Sequence, residues 1–167
     1  MEVWFSHGQE SGPWGFKITR LAEVARAAGA GVASVDYRHT RDPDERVRHL
    51  LAQPRPAGPL VLVGSSMGGY VAAAASATLR PAGLFLMAPA FYLPGYEGDV
   101  TPHAGDVEVV HGWRDELIPP AHSVRYAKAC RARLHVLDGD HGLSEVIDDI
   151  AALFGRFLDR VGTAATP

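Results

Sequence analysis

The chain has 167 residues, 47% of them hydrophobic, and a formal net charge of −3. That length fits one domain able to bury roughly 70% of the surface its unfolded chain exposes, and the near-neutral balance without a dense basic run argues against nucleic acid as a partner. No stretch approaches the ~20 apolar residues of a membrane span, and the single cysteine, Cys130, has no second thiol for an internal disulfide, which points to a reducing compartment and a cytoplasmic protein.

The N-terminus runs directly into Val3-Trp4-Phe5, without the basic and apolar regions of a signal peptide, and none is expected. Val3 to Ser6 reads as a first strand. Trp14, Ile18, Leu21, Ala25 and Ala28 then recur at helical spacing, with Lys17, Arg20 and Arg26 on the other faces, and Gly29 and Gly31 end that helix. Val32 to Tyr37 is a second strand. Asp42 as N-cap and Pro43 at the first helical position open a short helix to about Ala52. Pro54, Pro56 and Pro59 mark the next loop, and Leu60-Val61-Leu62-Val63 is a short, branched, apolar segment suited to a buried strand.

That third strand leads into Gly64-Ser65-Ser66-Met67-Gly68, which reads G-x-S-x-G, and then into Gly69-Tyr70-Val71 and the helix-forming run Ala72 to Ala75. A serine on a sharp strand-to-helix turn has its hydroxyl lifted out at the end of the sheet, with glycines where a Cβ would clash. Ser66 is the central serine. Leu84 to Met87 is a fourth strand, followed by a Pro/Gly-punctuated excursion from Pro89 to Gly105. Val107 to Val110 is a fifth strand, Pro119-Pro120 starts a helix to about Ala132, and Leu134 to Leu137 is a sixth strand. A last helix carries Leu143, Val146, Ile147, Ile150, Phe154, Phe157 and Leu158 on one stripe. Residues 1–161 form the expected domain and 162–167 a frayed tail. Strands alternating with helices predict an α/β fold with a mostly parallel six-stranded sheet, in the order 2-1-3-4-5-6, covered on both faces.

In such a sheet, functional residues belong just beyond the carboxyl ends of the strands. After the fifth strand stands His111-Gly112-Trp113-Arg114-Asp115, and after the sixth Asp138-Gly139-Asp140-His141-Gly142. A serine hydroxyl is a poor nucleophile without an adjacent base. Histidine supplies one near neutral pH, and a carboxylate holds the imidazole in its tautomer. Ser66, Asp115 and His141 follow in that chain order and are the candidate catalytic residues. Asp138 and Asp140 compete for the acid, although Asp140 adjoins His141 and adjacent side chains seldom face each other. His7 and His111 read as braces of their turns, and His39, His49, His103, His122 and His135 occupy exposed or strand positions. A tetrahedral oxyanion needs two amides. One is that of Met67, and the other comes from the loop after the first strand, from Gln9 or else Glu10.

Trp14, Phe91, Tyr92, Tyr96 and Trp113 lie in or near these loops, with packing as the alternative for each. The substrate-binding assignment falls on Trp14, Phe91, Tyr92 and Trp113. Cys130 reads as a structural thiol. Gly8, Gly12 and Gly15 after the first strand, with Asp36 ending the second, raise a dinucleotide site, but the spacing is not G-x-G-x-x-G and Pro13 intrudes.

From Ser6-His7-Gly8 through Gly64-Ser65-Ser66-Met67-Gly68 and His111-Gly112-Trp113-Arg114-Asp115 to Gly139-Asp140-His141-Gly142, the chain resembles the α/β-hydrolase superfamily. It is similar in particular to the small lid-less serine esterases related to carboxylesterases and dienelactone-hydrolase-like proteins. The resemblance implies an acyl-enzyme mechanism without cofactor or metal, acting on a small-molecule ester. It leaves out two N-terminal strands of the larger fold, and the excursion from Pro89 to Gly105 is too short for a helical cap domain. A thioesterase using the same residues, or a non-catalytic interaction protein on this fold, is the alternative.

Overall fold

The computed structural model describes residues 1–164. Strands β1 (Glu2–Ser6), β2 (Gly31–Val35), β3 (Leu60–Ser65), β4 (Gly83–Met87), β5 (Asp106–Gly112) and β6 (Arg133–Leu137) alternate with helices α1 (Phe16–Ala27), α2 (Pro43–Leu51), α3 (Met67–Leu79), α4 (Pro120–Cys130) and α5 (Ile147–Ala164). The strands form one sheet in the order β2-β1-β3-β4-β5-β6, and every neighbouring pair is parallel. Order and composition match the sequence reading.

A strand's side chains alternate between faces, and β3 shows what that does here. Val61 and Val63 point into one apolar layer with Phe5, Phe85, Ile18 and Leu21 of α1, and Phe154 and Phe157 of α5. Leu60 and Leu62 point into the other, with Trp4, Leu84, Leu50 of α2, Tyr70 and Val71 of α3, and Tyr126 of α4. The sheet is therefore the middle of three layers, with α1 and α5 on one face and α2, α3 and α4 on the other. Covering on both faces is why β3 is buried throughout and is apolar on both faces from Leu60 to Val63.

Local chemistry sets the element ends. Asp42 caps α2 by accepting from the Glu45 N–H at 2.8 Å. At the last helix the structure departs from the periodic pattern. Leu143 has φ 56°, a left-handed conformation that an α-helix excludes, so α5 starts at Ile147, and Leu143 reaches the core from the preceding loop. At its other end α5 runs past the expected boundary through Gly162 to Ala164, and Val161, 2% exposed, is the last of its residues in the core. The rest of the expected tail, 165–167, lies outside the described residues. Among the described residues, the segment between β4 and β5 contains no helix or strand, so no cap domain covers the sheet edge, and no helix is long and apolar enough to cross a membrane.

Because all six strands run the same way, their carboxyl ends share one edge. The strand order reverses direction between β1 and β3, so the loops leaving these two strands diverge and open a crevice between them.

Candidate active site

Ser66 sits on the turn between β3 and α3 with φ 55° and ψ −121°. A serine at positive φ is strained by roughly 1–3 kcal/mol and needs surrounding structure to hold it. The strain is held by backbone hydrogen bonds from Ser66 N–H to Met87 at 2.9 Å and from the Ala90 N–H to the Ser66 carbonyl at 3.0 Å. The glycines are obligatory for a separate reason: a Cβ on Gly64 would collide with the Gly68 carbonyl, and one on Gly68 with the Ser6 carbonyl. The close crossing of turn and β1 therefore excludes any larger residue.

Three loops converge on this serine. His141 Nε2 lies 3.1 Å from Ser66 Oγ, and His141 Nδ1 lies 2.7 Å from Asp115 Oδ2. A carboxylate only accepts, so the His141 proton resides on Nδ1, and the bare Nε2 faces the serine hydroxyl. Asp140, the competing acid, turns away and accepts from the Leu143 N–H at 3.0 Å. Asp138 is exposed and paired with Arg114 at 2.7 Å.

Asp115 is held by four donors. Its Oδ1 accepts from the N–H groups of Leu117 at 2.9 Å and Ile118 at 2.8 Å. Its Oδ2 accepts from His141 and, at 3.0 Å, from His111 Nε2. Burial raises the pKa of this carboxyl, but the Ile118 N–H, the hydrogen bond and charge of His141 and the Leu117 N–H outweigh it, and the net shift is downward. Asp115 is thus a committed anion although its side chain is buried. His111 itself is neutral. Burial lowers its pKa more than Ile118 and Asp115 raise it. Its Nε2 also faces the Ile118 carbonyl at 3.0 Å, and its Nδ1 accepts from Ser123 Oγ at 2.7 Å. The brace assigned to His111 from sequence is therefore attached to Asp115.

The loop after β1 is pinned by a residue outside the candidates that the sequence offers. Arg46 of α2 is 1% exposed. Its Nη1 donates to the carbonyls of His7 and Gly8, both at 3.2 Å, and its Nε to that of Thr40 at 3.0 Å. His7 Nε2 accepts from the Tyr37 N–H at 3.0 Å, so its proton is on Nδ1, which donates to the same Gly8 carbonyl at 2.7 Å. In a planar trans peptide the N–H points opposite to the C=O. With the Gly8 carbonyl tied down by Arg46 and His7, the Gln9 N–H faces the other way, and Gln9 lines the cavity beside Ser66. Met67 is the first residue of α3, where a helix N–H has no intrahelical partner. One signal for Arg46 existed: it stands four residues before the buried Leu50, on the inward stripe of α2.

A cavity of about 500 Å³ opens over Ser66 and His141, walled by Phe16, Ile18, Leu93, Tyr96, Leu117 and Ile118, with Lys17 at its side. None of the four aromatics assigned to substrate binding lines it. Phe91 is 1% exposed and packs its ring 4.3 Å from Tyr126 in the core. Tyr92 turns toward Arg125, which lies 3.9 Å over its ring. Trp14 lies outside α1 with Arg26 over its ring, and Trp113 is 63% exposed. The reason is local: Tyr92 has φ 58°, and this bend in the chain after Phe91 leaves Leu93 and Tyr96, rather than Phe91 and Tyr92, at the cavity. Asp36 pairs with Arg38 at 2.6 Å and is not part of this cavity. Cys130, half-buried, donates to the Tyr126 carbonyl at 3.2 Å. Among the described residues no group of three or more His, Cys, Asp or Glu could hold a metal ion.

No protein-family model and no curated protein sequence matches the chain. Solved structures do. A protein from Xanthomonas campestris pv. campestris, assigned to the hydrolases of the alpha/beta superfamily, is 34% identical, with 95% of this chain covering 98% of that one at a TM-score of 0.86. Est1E from Butyrivibrio proteoclasticus is 17% identical, with coverages of 97% and 88% and a TM-score of 0.85. An a/b serine hydrolase without lid from Xanthomonas campestris is 22% identical, with coverages of 95% and 81% and a TM-score of 0.75. The last two are likenesses of fold.

Proposed function

The chain belongs to the α/β-hydrolase superfamily, and we propose that within it this protein is a serine hydrolase of small carboxylic esters, working through an acyl-enzyme. The observation that carries the reading is the run of hydrogen bonds from Ser66 Oγ to His141 at 3.1 Å and from His141 to Asp115 at 2.7 Å. Ser66 Oγ attacks the ester carbonyl carbon while His141 Nε2 takes its proton. Asp115 keeps the imidazole oriented and stabilises the imidazolium. The amides of Met67 and Gln9 receive the oxyanion. The tetrahedral adduct collapses, the carbon–oxygen bond to the alcohol breaks, and His141 returns the proton to the departing oxygen. Water then attacks the acyl-serine by the same route and releases the acid. Thioesters suit the same machinery, because the attacking group and the oxyanion are unchanged. The lone Cys130 supports a reducing, cytoplasmic setting.

A fluorophosphonate probe tests the reading directly, since it is attacked only by an activated serine. Wild type is expected to be labelled at Ser66. Ser66→Ala is expected to be folded and unlabelled, and Ser65→Ala to label normally. A wild-type protein that takes no label would turn the reading toward a non-catalytic interaction protein.

A further inference from the structure

We propose that the Ser66 cavity takes esters that carry a carboxylate, with the Lys17 ammonium as its counter-ion. This names the substrate class of the site proposed above and rests on that reading.

Lys17 lines the cavity that holds Ser66 and His141, and it is the only Lys or Arg among the cavity residues. Its amine has no hydrogen-bond or ion-pair partner among the described residues. Every acidic group nearby is already engaged. Asp115 is saturated by its four donors. Asp140 accepts from Leu143. Glu10 is bound by Gln9 at 3.1 Å and Arg41 at 3.4 Å. The cavity that Lys17 lines carries the apolar side chains of Phe16, Ile18, Leu93 and Leu117 beside the polar ones of Ser11, Tyr96 and Ser144, and none of these hydrogen-bonds its amine.

A cation held half-buried without a partner costs stability. Burial pushes the Lys17 amine down to about 8, against the opposing fields of Asp140 and Asp115, so it remains mostly protonated at neutral pH. A solvent-facing lysine on the outer stripe of α1 would incur no such cost. The position makes sense when an anion arrives: the charge is then paired in a place of low dielectric, where an ion pair is strong. A carboxylate fits better than a larger anion because the same cavity must also seat the ester over Ser66.

The experiment compares matched substrate pairs that differ only in charge. One pair places it on the alcohol side, 4-acetoxybenzoate against 4-acetoxybenzamide. The other places it on the acyl side, mono-p-nitrophenyl adipate against the corresponding adipamate ester. The readout is the ratio of kcat/KM within each pair, which a general loss of folding or activity does not move. Wild type is expected to prefer the anion by roughly tenfold to a hundredfold in one pair, the range of a charge-assisted hydrogen bond. That preference is expected to vanish in Lys17→Met, to persist in Lys17→Arg, and to shrink with added salt. Lys17→Met removes an unpaired charge, so the variant folds. Parity in both wild-type pairs, or a preference that survives in Lys17→Met, overturns the proposal while Ser66 labelling still stands. Absence of labelling together with absence of turnover overturns the hydrolase reading and this proposal with it.

Discussion

Asp115, the acid of the proposed triad, illustrates how much of a side chain's role lies in its neighbours. Two backbone amides and two imidazoles meet on one carboxylate, and the two histidines differ in what lies on their far side. Beyond His141 is the serine hydroxyl, and beyond His111 is the buried Ser123. His141→Ala is therefore expected to lower kcat by on the order of 10⁵-fold or more, as loss of one member of a unit does. His111→Ala is expected to act mainly on stability, costing about 1–3 kcal/mol for the donor and acceptor partners it orphans. Thermal melts and ester kinetics on both variants check this. Comparable catalytic losses at equal Tm would make His111 part of the chemistry. From the sequence, His141 and His111 are separated by chain position, since only His141 follows the last strand. The bond from His111 to Asp115 was not legible, because Asp115 stands four residues later on a turn whose course no local pattern dictates.

At the scale of elements, the loop after β1 depends on a helix that is remote from it in sequence. Arg46 spans 38 residues to reach Gly8, and it binds carbonyls rather than the cavity. We place it as a positioning residue for the Gln9 amide. Arg46→Met is expected to lower kcat by about tenfold to a hundredfold, somewhat less than loss of an oxyanion donor itself, with KM little changed. Arg46→Lys is expected to recover part of the rate, since an ammonium can still reach a carbonyl. Steady-state kinetics below the Tm of each variant measure this, and an unchanged kcat in folded Arg46→Met removes Arg46 from the role. The helices themselves were legible from periodicity and caps, with α2 opening at Asp42 and Pro43. The start of α5 was not, because Leu143 continues the apolar stripe while its left-handed backbone breaks the helix. Likewise Lys17 reads as an outward residue of α1, yet the first turn of that helix opens at the cavity.

Across the whole molecule, the cleft is bounded by loops at one sheet edge and closed by no cap among the described residues. Each buried methylene of an acyl chain adds ~0.8 kcal/mol while it still finds protein around it. In a cavity of about 500 Å³ shared with the alcohol moiety, that gain ends early. Turnover of neutral p-nitrophenyl esters is expected to rise from acetyl and to peak by about hexanoyl, without interfacial activation. A kcat/KM that keeps climbing to palmitate would mean an enclosed acyl tunnel and contradict the open cleft. What the sequence determined by itself is what repeats locally or is dictated by sterics. The alternation of apolar strands and amphipathic helices implies a parallel sheet, the glycines around Ser66 imply a tight strand-to-helix turn, and the positions of Asp115 and His141 after strands place both at that sheet's edge. What only the tertiary structure decided is which side chains face the cavity: Leu93, Tyr96 and Lys17 rather than Trp14, Phe91, Tyr92 and Trp113. Irregular loops take their course from long-range packing and from single positive-φ residues, and neither leaves a periodic trace along the chain.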